Sequence, residues 1–155
     1  MNRIARNEDI EEISRLRIIQ QKDDWKEEYP NKDEEFYRIT KNYLEEHLNK
    51  DVIFFIEIID NKIIATCGLQ IIKYMPQCVE SGVEGYICDV FTLKEYRRKG
   101  IQTNLIKECI KFAKQNKIIK LKLSSDNPEA IRIYQGQGFE HDKLTMKRKI
   151  KWKRK

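Results

Sequence analysis

EYRRKGIQTNL, residues Glu95 to Leu105, sets three cations and one glycine directly before an amphipathic run. A cationic cluster alone reads as a solvated loop. Here Arg97, Arg98 and Lys99 are closed by Gly100 and followed at helical spacing by Leu105, Ile106, Cys109, Ile110, Phe112 and Ala113. The cations and the glycine therefore stand where a helix begins. The first turn of a helix presents N–H groups without intrahelical partners and a partial positive charge. Surrounded by basic side chains, it is a place to hold an anion, and phosphate fits best.

Working outward, Ile4 to Arg6 reads as a short first strand. Asn7 or Asp9 caps a helix whose Ile10, Ile13, Leu16 and Ile19 face inward. Tyr29-Pro30-Asn31 interrupts it, because proline cannot continue a helix and the residue before it prefers an extended backbone. A second helix is expected from about Asp33 to Asn49, with Phe36, Ile39, Tyr43 and Leu44 as its apolar side. Asp51 to Ile59 is dense in β-branched and aromatic residues, and Asp60-Asn61-Lys62 makes a tight turn into a further strand ending at Tyr74. A loop from Met75 to Gly82 leads to a strand at about Glu84 to Thr92, and then to the glycine turn and its helix.

Ile118 to Ser124 alternates as a half-buried strand does. Asp126-Asn127-Pro128 starts a short helix, since asparagine caps and proline suits the first helical position. The chain closes on a section in which Leu144, Met146, Ile150 and Trp152 alternate with polar residues. The expected order is β-α-α-β-β-β-α-β-α-β, an α/β (α+β) fold with a mixed, mostly antiparallel central sheet flanked by helices. No repeat or linker divides it, so residues 1–155 read as one domain.

Two motifs in this order resemble the GNAT superfamily of acetyl-coenzyme A-dependent N-acetyltransferases. The family's R/Q-x-x-G-x-G/A turn is matched by Arg97 and Gly100, with Gln102 standing where glycine or alanine is usual. A second signature, N-x-x-A-x-x-x-Y-x-x-x-G-F, is met by Asn127, Ala130, Tyr134, Gly138 and Phe139. The resemblance implies that acetyl-CoA is the co-substrate, with its pyrophosphate on the turn formed by Arg97, Arg98, Lys99, Gly100, Ile101, Gln102 and Thr103. It implies further that the pantetheine arm lies along a splayed strand edge at Val90, Phe91 and Thr92, and that Asn127 stands near it. Read from the residues alone, Asn127 is a helix cap, and both roles can hold.

The implied reaction is direct attack of a primary amine on the acetyl thioester. An alkyl ammonium with a pKa of ~10.4 must first lose a proton, which costs about 4–5 kcal/mol at neutral pH unless a base assists. The resemblance casts Tyr134 as the acid that protonates the leaving thiolate; the helical pattern alone makes it a core aromatic. For the base, Asp89 and Glu84 lie on or beside the strand leading to the cofactor, on opposite faces unless a bulge intervenes, and water is a third route. The acceptor pocket of this fold is built from regions that here hold Asp23, Asp24, Trp25, Glu27, Glu28, Tyr29, Tyr37, Met75 and Glu80. These suit a cationic small molecule, and they suit ordinary solvated helix ends equally well. A protein or peptide amine, or acyl-CoA binding without turnover, are the competing readings.

Bulk composition narrows the partners. Of 31 basic residues, seven fall in the final nine, KRKIKWKRK (residues 147–155), where there is no acid. The remaining body is near neutral, so nucleic acid is not the expected partner despite a formal charge of +6. No stretch has the length and apolarity of a membrane span or a secretory h-region. Cys67, Cys78, Cys88 and Cys109 have no metal-ligand spacing and read as buried, reduced thiols, which points to the cytoplasm and to no metal. Members of the family often dimerise, so a homodimer is a candidate assembly.

Overall fold

The computed structural model describes residues 1–78, 80–144 and 148. Its five strands are β1 (Asn2–Ile4), β2 (Val52–Ile59), β3 (Lys62–Lys73), β4 (Val83–Thr92) and β5 (Lys120–Lys122). They form one sheet in the order β1-β2-β3-β4-β5. All pairings are antiparallel except β4–β5, which is parallel and is reached through a helical crossover. Four helices flank the sheet: α1 (Ile10–Trp25), α2 (Asp33–His47), α3 (Ile101–Gln115) and α4 (Pro128–Gly136).

The apolar run at residues 52–56 of β2 is explained by helices on both faces. Phe54 and Ile56 point into a core with Ile10, Ile13 and Leu16 of α1 and Leu44 of α2. Ile53 and Phe55 point the other way, toward Leu105, Ile106 and Cys109 of α3 and Tyr134 of α4. With the sheet sandwiched in this way, neither face of the strand needs polar residues.

Several sequence expectations shift. The first strand is Asn2–Ile4 rather than Ile4 to Arg6, and the strand expected over Ile118 to Ser124 pairs only through Lys120–Lys122. Ile19 is exposed, because the buried residues of α1 end at Leu16. Cys67 and Cys109 are buried, but Cys88 is only half-buried and Cys78, in the connection between β3 and β4, is exposed. The buried side of α2 is Thr40 and Leu44, four residues apart. Ile39 and Tyr43 are rotated off it and stand exposed. Tyr43 instead stacks on His47 at a centroid distance of 4.3 Å, and Phe36 lies under the Arg17 guanidinium. Of the closing section, Met146, Ile150 and Trp152 lie outside the described residues, as does the basic tail apart from residue 148.

Helix α1 stops at Trp25, before Pro30 is reached. Lys26 takes a φ of 50°, a 3-10 turn follows over Lys26–Glu28, and Asn31 is again left-handed at 52°. The acidic end of α1 is fixed beside the segment that follows β4, where Asp23 meets Lys94 and Arg97.

Candidate active site

The site is made where β4 departs from regular pairing. Thr66 is opposite Phe91 and Gly68 is opposite Cys88, so Asp89 and Val90 together face Cys67 alone. This is a β-bulge, and it answers the question of faces: simple alternation does not carry through Asp89. Asp89 has a φ of 48°, a left-handed conformation that aspartate tolerates better than most residues. The Thr66 hydroxyl donates to the Asp89 carbonyl at 2.9 Å and fixes the distortion. The Asp89 carboxylate meets Arg17 of α1, accepting from Nε at 3.0 Å and pairing with Nη2 at 2.9 Å.

Below the bulge, β3 and β4 are tied by a side chain. Gln102 Nε2 donates to the Phe91 carbonyl at 2.6 Å, to Thr92 Oγ1 at 2.9 Å and to the Thr66 carbonyl at 3.1 Å. The residue that departs from the family's glycine or alanine therefore reaches into the sheet.

The glycine turn alternates in backbone hand. Arg98 and Gly100 are both left-handed, with φ of 61° and 75°, and Gly100 caps α3 with no side chain bonding to the helix start. Alternating conformations of this kind turn successive N–H groups inward. The N–H groups of Ile101, Gln102 and Thr103 precede the first intrahelical bond, from Asn104 N–H to the Gly100 carbonyl. A Cβ on residue 100 would meet nothing within 4 Å, so the glycine is required by its φ rather than by lack of space.

The three cations do not act alike. Arg97 turns inward: Nε donates to the Thr92 carbonyl at 2.9 Å and Nη2 reaches Asp23 at 2.6 Å. Lys94 adds a second contact to Asp23 at 2.9 Å. These two hydrogen bonds hold the Asp23 carboxyl below the usual carboxylate range. Lys99 lies over the Tyr96 ring, with its Nζ 5.2 Å from the centroid.

Asn127 caps α4, its side-chain oxygen accepting from Glu129 N–H at 2.9 Å and Ala130 N–H at 3.4 Å, with Pro128 in the first turn. Tyr134 sits on that helix, 7% exposed, edge-on to Phe139. Burial is the main cause that pushes its hydroxyl up to about 12. Among the described residues this hydroxyl has no hydrogen-bond partner. A phenol in this state stays protonated at neutral pH and is able to donate.

Two clefts meet at this point. One runs past Val90, Phe91, Thr92, Arg98, Gly100, Ile101, Gln102 and Thr103. The other is wider and is walled by Trp25, Glu27 and Glu28 from the end of α1, Cys88 and Asp89 from β4, and Ser124 to Asn127 from the loop before α4. Asp23, Asp24, Val90, Arg97, Asn127, Ala130 and Tyr134 line both. The sequence expectation is thus gathered into one place, with exceptions. Glu84 lines neither cleft and pairs with Lys122 at 2.6 Å and Lys120 at 3.5 Å. The Lys122 bond in particular lowers its carboxyl. Lys99 is likewise outside both linings, as are Tyr29, Tyr37, Met75 and Glu80.

Sequence reasoning missed Arg17, the partner of Asp89, and Asp126 in the cleft wall. Arg17 lies 72 residues from Asp89 and carries no local signal. Asp126 was legible as part of the helix start and was read only as that. Cys88 lines the wider cleft, and burial first, then Asp89, pushes its thiol up to about 12. It is therefore a poor nucleophile at neutral pH.

Comparison with known proteins identifies the family. Residues 18–139 match the Acetyltransferase (GNAT) family. The chain belongs to the GNAT family. It is an acyltransferase with acetyl-CoA as co-substrate. An N-alpha-acetyltransferase of Saccharolobus solfataricus is 29% identical over 151 residues, spanning 92% of this chain and 81% of that protein. A predicted acetyltransferase from Clostridium acetobutylicum, crystallised with acetyl-CoA, superposes with a TM-score of 0.80 at 26% identity, covering 96% of this chain and 95% of that one. An aminoglycoside 6′-N-acetyltransferase from Acinetobacter haemolyticus shares the fold with a TM-score of 0.71 at 17% identity over 99% of both chains. Among the described residues no helix is long and apolar enough to cross a membrane.

Proposed function

We propose that this GNAT protein transfers the acetyl group of acetyl-CoA to a primary amine of a small cationic molecule by direct attack on the thioester. The observation that carries the reading is the meeting of two clefts at Val90 and Tyr134, one leading from the helix N-terminus and the other from an acidic wall. The pyrophosphate is assigned to the N–H groups of Arg98 to Thr103, where backbone geometry outweighs the exposed cations, each worth only about 0–1 kcal/mol. The pantetheine arm is assigned to the edge at Val90, Phe91 and Thr92. Because the Phe91 carbonyl is already taken by Gln102, Val90 is left as the principal backbone partner.

At the junction the Val90 N–H is the donor best placed for charge developing on the thioester oxygen. Tyr134 protonates the departing sulfur. Asp89 serves this scheme through Arg17, holding the bulge against α1.

The name of the curated relative favours a second acceptor, the α-amine of a peptide.

Acetyl transfer from acetyl-CoA to spermidine and to trialanine amide, followed by thiol release and product mass, separates the two acceptors. Transfer to spermidine supports the cationic small molecule, and transfer to the peptide amide alone moves the assignment to the second reading. Tight acetyl-CoA binding with no thiol release to any amine would overturn both.

A further inference from the structure

Asp23 and Asp24 are the two carboxylates that line both clefts; Glu27, Glu28, Asp89 and Asp126 line only the wider one and Glu129 only the other. Glu84 is held by Lys122 and Lys120 and lines neither cleft. Asp89 is paired with Arg17. Asp23 is held from both sides by Arg97 and Lys94. Asp24, the next residue, has no hydrogen bond or ion pair to any described residue, and it lines both clefts where they join.

We propose that Asp24 is the group that receives the acceptor's ammonium and takes its proton, and that Asp23 is the positioning residue that holds it there. The proposal rests on the amine-acetyltransferase reading above. Its geometric basis is the shared wall: Asp24 on the last turn of α1, Tyr134 on α4 and Val90 on β4 all line both clefts. The base and the acid thus come from two different helices.

The surroundings suit a base. The groups facing Asp24 are Asp23 on its own helix, Arg97 from the glycine turn, Asp126 from the loop before α4, and Asp89 from β4. Asp24 remains exposed, and its partial desolvation beside the cleft raises its carboxyl most. Asp23 adds to that, Arg97 opposes it, and Asp126 and Asp89 add smaller increments. A carboxylate raised in this way holds a proton more strongly than an ordinary aspartate and is the better base. The same acidic neighbours attract a cation, and Trp25 beside them offers an aromatic wall.

The protons balance. The acceptor ammonium gives one proton to the Asp24 carboxylate, and the freed nitrogen lone pair forms the C–N bond to the thioester carbonyl carbon. The C–S bond breaks with its electron pair on sulfur, and the Tyr134 hydroxyl protonates that sulfur. The phenolate recovers its proton from the new amide nitrogen, directly or through water, and Asp24 passes its own to solvent. The sum is an acetamide, the coenzyme thiol and one released proton.

The test uses the full chain saturated with acetyl-CoA and labelled with carbon-13 at aspartate carboxyls. The Asp24 signal is the one lost in Asp24→Asn, which removes no ion pair and should fold normally. Titrated by NMR in sodium chloride and in methylammonium chloride of equal ionic strength, Asp24 should have a midpoint above the usual ~3.9 and a lower midpoint in methylammonium. A midpoint at or below the usual value, or one identical in the two salts, overturns the proposal.

With spermidine or trialanine amide as acceptor, D24N should lose roughly 10²-fold in kcat/KM and also the acid limb of the pH profile, while D24E recovers part of the rate. An acid limb that persists in D24N overturns it too. If the wild type transfers to neither acceptor, the amine reading is what fails, and the carboxyl titration still decides Asp24.

Discussion

Tyr134→Phe isolates a single oxygen atom, since the ring keeps its place against Phe139 while the proton donor is lost. The variant should fold normally, bind acetyl-CoA about as well as the parent, and release thiol roughly 10²-fold more slowly. Stopped-time thiol assays beside calorimetric titration separate these effects; equal turnover would make Tyr134 a packing residue only. Cys88 is the opposite case. Its thiol is pushed up to about 12 by burial, so no covalent acyl-enzyme should accumulate, and the intact mass of protein mixed with acetyl-CoA should not change. Gly100 is defined by its φ of 75°. Gly100→Ala should cost about 1–2 kcal/mol of stability even though the methyl meets nothing, because the left-handed conformation itself is penalised.

At the scale of elements, β4 is bulged against β3 at Asp89 and Val90 and tied to it by one glutamine, while its pairing with β5 stops at Tyr86. Gln102→Ala restores the family's usual kind of residue, and it should nonetheless destabilise this chain. Two carbonyls and a threonine hydroxyl lose their shared donor beside a buried strand, at about 1–3 kcal/mol. For a domain of this length that is a fall of roughly 2–10 °C in Tm, readable by thermal denaturation. An unchanged Tm would mean that the strands hold their register without the staple.

The same elements show why the sequence was readable in part. The helix start at Gly100 and the cap at Asn127 are local events, written in a few adjacent residues, and both appear where expected. The Arg17–Asp89 and Asp23–Arg97 pairs join residues more than 70 positions apart. Nothing local marks them. The exposed Ile39 and Tyr43 failed for a related reason: two-sided burial of β2 leaves only a narrow stripe of α2 to be covered, and periodicity alone cannot fix its rotation.

For the whole molecule, pairing of carboxylates sets the response to acid. Asp23 is lowered by its bonds to Arg97 and Lys94, and Glu84 chiefly by Lys122. For Asp9, burial raises the carboxyl, but the Arg3 side chain, the Arg6 N–H and their charges together outweigh it and leave it lowered. A carboxyl lowered on folding contributes stability above its unfolded pKa and loses it as pH falls through the folded value. Melting temperature should therefore be flat near neutrality and decline below about pH 4, where these groups begin to protonate. Stability that rises on acidification would contradict these pairings. The fold of the whole molecule was legible because two motifs in order, on elements of the right type, leave few topologies. Which acceptor enters the cleft was not, since acidic residues at a helix end look alike whether they bind a cation or water.

The central claim is that the helix start at Gly100 and the splayed edge of β4 together form the acetyl-CoA site. Amide hydrogen exchange with and without acetyl-CoA, using ATP at equal concentration as control, tests it most directly. The account predicts slowed exchange at Arg98 to Thr103 and at Val90 to Thr92 with acetyl-CoA, and protection limited to the turn with ATP. Protection that leaves residues 90–92 unchanged, or that falls elsewhere on the sheet, would contradict it.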